Sequence, residues 1–260
     1  MSTHTADKGL PQAKGSQGAG GKAGGKAGGT TVYERYLRTD DLLRLQKTED
    51  ERLHPDELTF QVVHQTFELW WKVTAQQLGL AADWLRSGKA EQAAAALRRA
   101  VAQQEVVRQA LRQLEFVSPV DFLTIRTGLE NGSGMDSPGF RAILRLAPAL
   151  WQAFSQGLFQ AGLTLPEVYE RRDAHLAWYE CAEALVDFDE TFHLFRAAHL
   201  KLAERNLGMH TRGTGGTPMS ALAKTLADLL FPELWDARDE LLAHAQARQG
   251  DAPGQEPGGH

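Results

Sequence analysis

Phe60, His64, Phe67 and Trp71 recur at i, i+4, i+7 and i+11, which lines them along one face of a helix. An imidazole inside an aromatic stripe has two uses. It can be a core histidine with its hydrogen bond satisfied, or it can line a pocket where one ring nitrogen meets a polar group on a flat ligand. His199 closes the run Phe195-Arg196-Ala197-Ala198-His199, with Phe192 and Leu202 on neighbouring turns. The alanines leave room for a flat macrocycle to approach the helix, with imidazole on its metal and the opposite face open. Close packing against another helix would use the same small residues.

Two further features suit a carboxylate ligand. In the loop Gly213-Thr214-Gly215-Gly216-Thr217-Pro218, which leads into a helix, backbone N–H groups and the Thr214 hydroxyl can converge on an anion. Many glycine-rich loops only turn. Arg126 lies four residues after Phe122 and seven before Ser133, at the end of a short helix and beside a loop. There a guanidinium can hold a carboxylate through two parallel bonds, or simply face water.

The elements that would carry these groups are helical throughout. From Tyr33 to about Arg248 the chain is rich in Ala, Leu, Gln, Glu and Arg, and apolar residues recur every three or four positions without alternating Val/Ile/Thr runs. This spacing predicts helices over 38–46, 55–87, 89–116, 119–126, 137–157, 166–206, 220–229 and 232–248. Ser87-Gly88 ends one of them, and Ser118-Pro119 opens another with a serine cap and a proline in the first turn.

Residues 1–30 read as a disordered tail, because Gly, Ala, Lys, Gln and Ser bring too little apolar surface to offset the entropy of ordering. Residues 31–248 read as a single helical domain and 249–260 as a second loose tail. No apolar run reaches the length of a signal-peptide core or a membrane span, so we expect a soluble, cytoplasmic protein with no membrane partner. Cys181 is the single cysteine, which excludes an internal disulfide and any multi-cysteine zinc or iron–sulfur site. A net charge of −5, with basic residues scattered among acidic ones, argues against nucleic acid as a partner.

Taken in order, these stretches resemble the tryptophan 2,3-dioxygenase superfamily of haem-dependent aromatic amino acid oxygenases. The likeness runs through Tyr33-Glu34-Arg35-Tyr36-Leu37, Asp41-Leu42-Leu43, Gln46 and His54-Pro55-Asp56-Glu57-Leu58-Thr59-Phe60. Val63-His64-Gln65-Thr66-Phe67-Glu68-Leu69-Trp70 comes next, then Pro119-Val120-Asp121-Phe122 with Arg126. Ser133-Gly134, Ser137, Phe140-Arg141, Arg196-Ala197-Ala198-His199, Gly213-Thr214-Gly215-Gly216 and Phe231-Pro232-Glu233-Leu234 complete it.

The resemblance implies an all-α bundle of long helices of the tryptophan/indoleamine 2,3-dioxygenase type, binding haem b. It implies that His199 is the iron ligand and that His64 lies on the opposite side, facing the indole N–H of L-tryptophan. Phe60 and Phe122 would line the substrate ring, Arg126 and Thr214 would bind its carboxylate, and Ser133 would lie near His64. Tyr33 and Tyr36 would reach a neighbouring subunit, in a homotetramer or a dimer. The implied reaction adds O2 to tryptophan to give N-formyl-L-kynurenine. Met135, Asp136, Pro138 and Gly139 depart from the family's usual loop residues, and Phe122 stands where tyrosine also occurs. The spacing from His199 to Thr214 is one residue longer than the family's. A peroxide-using haem hydroxylase of tyrosine or a tyrosine derivative therefore stays open, as does a non-catalytic helical interaction protein. A di-metal carboxylate site is disfavoured, because Glu51–His54 falls in a turn before Pro55, and His193 and His199 point to different faces.

Overall fold

The computed structural model describes residues 30–130, 132–209 and 219–250, and it divides into two compact units, Met1–Leu45 and Gln46–His260. Every regular element among the described residues is helical, so the class is all-α. The two tails over 1–29 and 251–260, and the glycine-rich loop with Thr214, lie outside the described residues.

In the first unit, α1 (Val32–Leu37) opens on a reciprocal cap. The Thr31 hydroxyl accepts the Glu34 N–H at 3.1 Å, and the Glu34 carboxylate accepts the Thr31 N–H at 2.6 Å. Arg38 then turns left-handed at φ 54°, which ends α1 before the short α2 (Thr39–Leu42). The helix expected over 38–46 shortens to α2, and α1 precedes it as a helix that the spacing does not predict, with Arg38 separating the two. Apolar spacing carries no signal for a left-handed residue. Tyr33 and Tyr36 on α1 are 68% and 85% exposed.

The second unit is built on four long helices: α3 (Glu57–Arg86), α4 (Ala90–Leu111), α6 (Pro138–Gln160) and α8 (Leu176–Leu207). α3 packs along both α4 and α6, and α4 also packs along α8. The fully buried Ala93, Ala94, Ala96 and Ala100 give α4 a thin profile, so its neighbours approach closely. Phe154, Phe188 and Phe192 fill the space between. α6 runs through Pro148 unbroken, since that residue faces solvent, where the missing N–H leaves no buried carbonyl to satisfy.

Shorter helices complete the unit: α5 (Pro119–Thr127), α7 (Leu165–Glu170), α9 (Met219–Lys224) and α10 (Pro232–Gly250). Three expectations need correction here. The helix expected over 89–116 ends at Leu111 and tightens into a 3-10 turn over Arg112–Phe116. The helix expected over 166–206 is split into α7 and α8. The Tyr169 hydroxyl donates to Glu183 at 2.8 Å, whereas fourteen residues of straight helix would hold the two about 21 Å apart. Fully buried Val168 is the apolar part of the same fold-back. The expected helix over 220–229 likewise shortens to α9 and a 3-10 turn over Thr225–Ala227. No helix among the described residues is long and apolar enough to cross a membrane.

Candidate active site

Helix α3 presents the aromatic stripe as its spacing requires. Phe67 and Trp71 are buried, while Phe60 and His64 are half-buried at the end nearer the helix start. Phe60 and His64 lie ring to ring at 4.1 Å, and Phe122 on α5 faces Phe60 at 6.1 Å. From α8, Phe195 meets Phe67 and Trp71 edge-on at 5.5 and 5.4 Å, then stacks on His199 at 6.1 Å and 16°. His64 and His199, from two different helices, thus converge on one aromatic-lined region.

Their protonation follows from their surroundings. His64 Nδ1 lies 2.7 Å from the Phe60 carbonyl, which can only accept. Nδ1 therefore carries the hydrogen, and neutral His64 keeps a lone pair on Nε2. Burial holds its pKa below the usual histidine value, against smaller upward pulls from that carbonyl and from Glu68. Burial pushes His199 further, down to about 4, and the His64 ring adds to the effect. The His199 ring makes no hydrogen bond among the described residues. A neutral imidazole with an uncommitted lone pair is the nitrogen donor that a metal requires.

The third wall is the turn before α6. Ser133 caps a 3-10 turn over Gly134–Asp136, its hydroxyl accepting the Met135 N–H at 3.2 Å. A Cβ added at Gly134 would come 4.0 Å from His199 Cε1, so this turn passes directly beside the imidazole. Arg126 is half-buried one helical turn beyond Phe122 on α5, with interactions of its own. The fold therefore brings Phe60, His64, Phe122, Gly134 and His199 together, with Arg126 and Ser133 on the elements that flank them. Tyr33 and Tyr36 belong to the first unit.

Three supporting residues escape a reading of spacing alone. Glu68 on α3 accepts the Ser137 hydroxyl in a short hydrogen bond and the Gly139 N–H at 2.9 Å. Fully buried Asp189 accepts the Leu230 and Phe231 N–H groups and the Trp235 indole N–H. Arg196 donates to the carbonyls of Thr225 and Asp228 at 2.5 and 2.6 Å. The available signal was a charged residue on an otherwise apolar helical face, as at Asp189 within Leu185, Phe188 and Phe192.

One other grouping offers metal-type donors among the described residues: His54, Asp56 and Asp121, with atoms within 4.8 Å of one another. The Asp56 N–H donates to His54 Nδ1 at 3.2 Å, which turns the ring's hydrogen-bearing Nε2 toward Asp121 at 3.5 Å. That arrangement ties α3 to α5 and leaves no nitrogen lone pair for an ion. Glu51 accepts the Thr48 N–H at 2.9 Å in a capping turn, so the Glu51–His54 pair is not a ligand pair.

Comparison with known proteins gives the family. The family model described as tryptophan 2,3-dioxygenase matches residues 16–146. The tryptophan 2,3-dioxygenase of Caulobacter vibrioides is 32% identical across 81% of this chain and 98% of its own. That of Myxococcus xanthus is 29% identical across 82% and 90%, and that of Xanthomonas campestris pv. campestris 31% across 86% and 92%. With a family model over half of the chain and relatives above 30% identity along most of it, the chain belongs to the tryptophan 2,3-dioxygenase family.

Proposed function

We propose that this protein is a haem-dependent tryptophan 2,3-dioxygenase, converting L-tryptophan and O2 to N-formyl-L-kynurenine. The observation that carries the reading is the pairing of two neutral imidazoles from α3 and α8. His199 has its lone pair free for iron, and His64 is fixed as a hydrogen-bond acceptor by the Phe60 carbonyl. The residues present fit haem b: one nitrogen donor, aromatic rings around it, and a glycine where a side chain would crowd the ligand. Haem, when bound, supplies the redox chemistry by which both atoms of O2 enter across the indole C2–C3 bond.

The chain's own work is orientation and exclusion. His64 Nε2 accepts the indole N–H, while Phe60 and Phe122 flank the ring plane. Arg126 takes the substrate carboxylate, assisted by Thr214, and Ser133 borders the pocket beside His64. Holding the ring in one pose removes much of the entropic barrier to reaction. Buried aromatic walls keep water from the reacting carbon atoms.

The protein works as a homo-oligomer, a dimer or a tetramer, in which Tyr33 and Tyr36 complete a neighbour's pocket. Support comes from their exposure and from the exposed Leu58, Val62, Leu69 and Val73, spaced along one side of α3. We read it as cytoplasmic.

The names of the relatives favour tryptophan over tyrosine, and O2 over peroxide. Ferrous haem-loaded protein incubated with L-tryptophan and O2 is expected to accumulate N-formyl-L-kynurenine. Haem-loaded protein that yields none of it from tryptophan would overturn the assignment.

A further inference from the structure

We propose that Glu68 is a positioning residue that fastens the pocket turn to α3 and so sets affinity for the substrate. The idea rests on the function proposed above and concerns a residue one helical turn beyond His64.

Glu68 bridges two elements at the point where the pocket wall becomes a helix. One carboxylate oxygen accepts the Ser137 hydroxyl, and the other accepts the Gly139 N–H at 2.9 Å. Ser137 Oγ in turn accepts the Phe140 N–H at 3.0 Å, so the hydroxyl links the carboxylate to the first turn of α6. A negative charge at a helix start is electrostatically favourable, and two N–H groups without intrahelical partners are satisfied, one by Glu68 and one by Ser137.

The fit here is tight. A Cβ at Gly139 would lie 2.7 Å from Glu68 Oε2 and 2.9 Å from Trp71 Cβ, so α6 approaches α3 as closely as a glycine permits. Phe140 follows, stacked on Phe192 at 5.2 Å and edge-on to Trp71 at 5.9 Å. Immediately before this anchor comes the Gly134–Asp136 turn, the segment that passes His199 and carries Ser133. That turn is held by its own cap and by Arg141, which donates to the Asp136 carbonyl; Glu68 joins it to the helix bearing Phe60 and His64. Two walls of one pocket are thereby kept in register by a single carboxylate.

A residue acting only on fold stability would lower the melting temperature and leave the Michaelis constant alone, so the test separates the two. In haem-loaded full-length protein, Glu68→Ala is expected to raise KM for tryptophan about 10-fold or more with kcat changed only about 3-fold, because two hydrogen bonds to a charged acceptor are lost. Amide exchange over 133–140 should quicken about 10-fold or more while that of α4 keeps the parent rate. Glu68→Gln retains one acceptor for the Gly139 N–H and should recover most of the KM. Ser137→Ala removes the hydroxyl link and should shift KM the same way as Glu68→Ala.

Parent values of both KM and exchange in Glu68→Ala would overturn the proposal, as would a kcat loss with KM unmoved. If Glu68→Ala does not fold, Ser137→Ala decides by the same readings. A parent protein that makes no N-formylkynurenine defeats the proposed function instead, and the exchange measurement then judges Glu68 independently.

Discussion

Asp189 and Trp235, forty-six residues apart, are joined by a 3.0 Å hydrogen bond from the indole N–H to Asp189 Oδ2. The same carboxylate accepts the N–H groups of Leu230 at 3.0 Å and Phe231 at 3.3 Å, and two helical turns further along α8 Arg196 holds the carbonyls of Thr225 and Asp228. A buried acid and a buried base on the His199 helix thus dock the segment that runs into α10.

Asp189→Ala is therefore expected to destabilise strongly, because it strands several N–H donors and leaves the buried Arg196 without its compensating charge. A loss on the order of 3–5 kcal/mol follows for breaking such a site. For a chain of this size that lowers Tm by roughly 6–20 °C. Calorimetry showing a change under about 2 °C would contradict this account.

Glycine substitutions on α3 and α6 should act in opposite directions. At Gly79, within α3, an added Cβ meets nothing within 4 Å, so Gly79→Ala should stabilise by about 0.5–1 kcal/mol. At Gly139 the Cβ would collide with Glu68 and Trp71, and Gly139→Ala should cost about 1–3 kcal/mol by forcing α6 outward. Urea unfolding of the two variants beside the parent reads both signs.

The two histidines should separate cofactor binding from substrate handling. His199→Ala is expected to purify without the Soret band of the parent, since it removes the nitrogen donor proposed to hold the iron, while the Phe60 carbonyl keeps His64 oriented for the substrate. His64→Ala should keep the band and lose about 10–100-fold in kcat/KM, the worth of one buried hydrogen bond to the substrate. A His199→Ala protein with undiminished haem content would refute the assigned ligand.

Acid should weaken the haem-free fold in a defined window. Both pKa values are depressed in the folded state, that of His199 to about 4, while an unfolded histidine titrates near about 6.5. As pH falls through about 6.5 the unfolded chain binds protons that the folded chain resists, so stability is greatest above that value. It declines toward about pH 4, below which His199 contributes no further loss. Melting curves should shift down steadily from pH 7 to 5, and replacing His199 with Gln should flatten the slope; an unchanged slope would remove burial of this ring as its cause.

Patterns local to one element were legible in the residues themselves. The stripe Phe60, His64, Phe67 and Trp71 shares a helical face because 3.6 residues per turn dictates it, and the cap at Ser118 announces α5 three residues ahead of the N–H group it accepts. Those same rules missed α1, a six-residue helix too short to show a period, and the fold-back that separates α7 from α8, because a tyrosine bonded fourteen positions away leaves no periodic trace.

What only the tertiary structure decided is which faces meet. That His199 lies near His64, that Gly134 passes beside its ring, and that Glu68 reaches the first turn of α6 all depend on how α3, α6 and α8 pack. Helical periodicity sets which direction a side chain leaves its own axis, whereas the partner it finds is set by the close packing of whole helices, and no single segment carries that information.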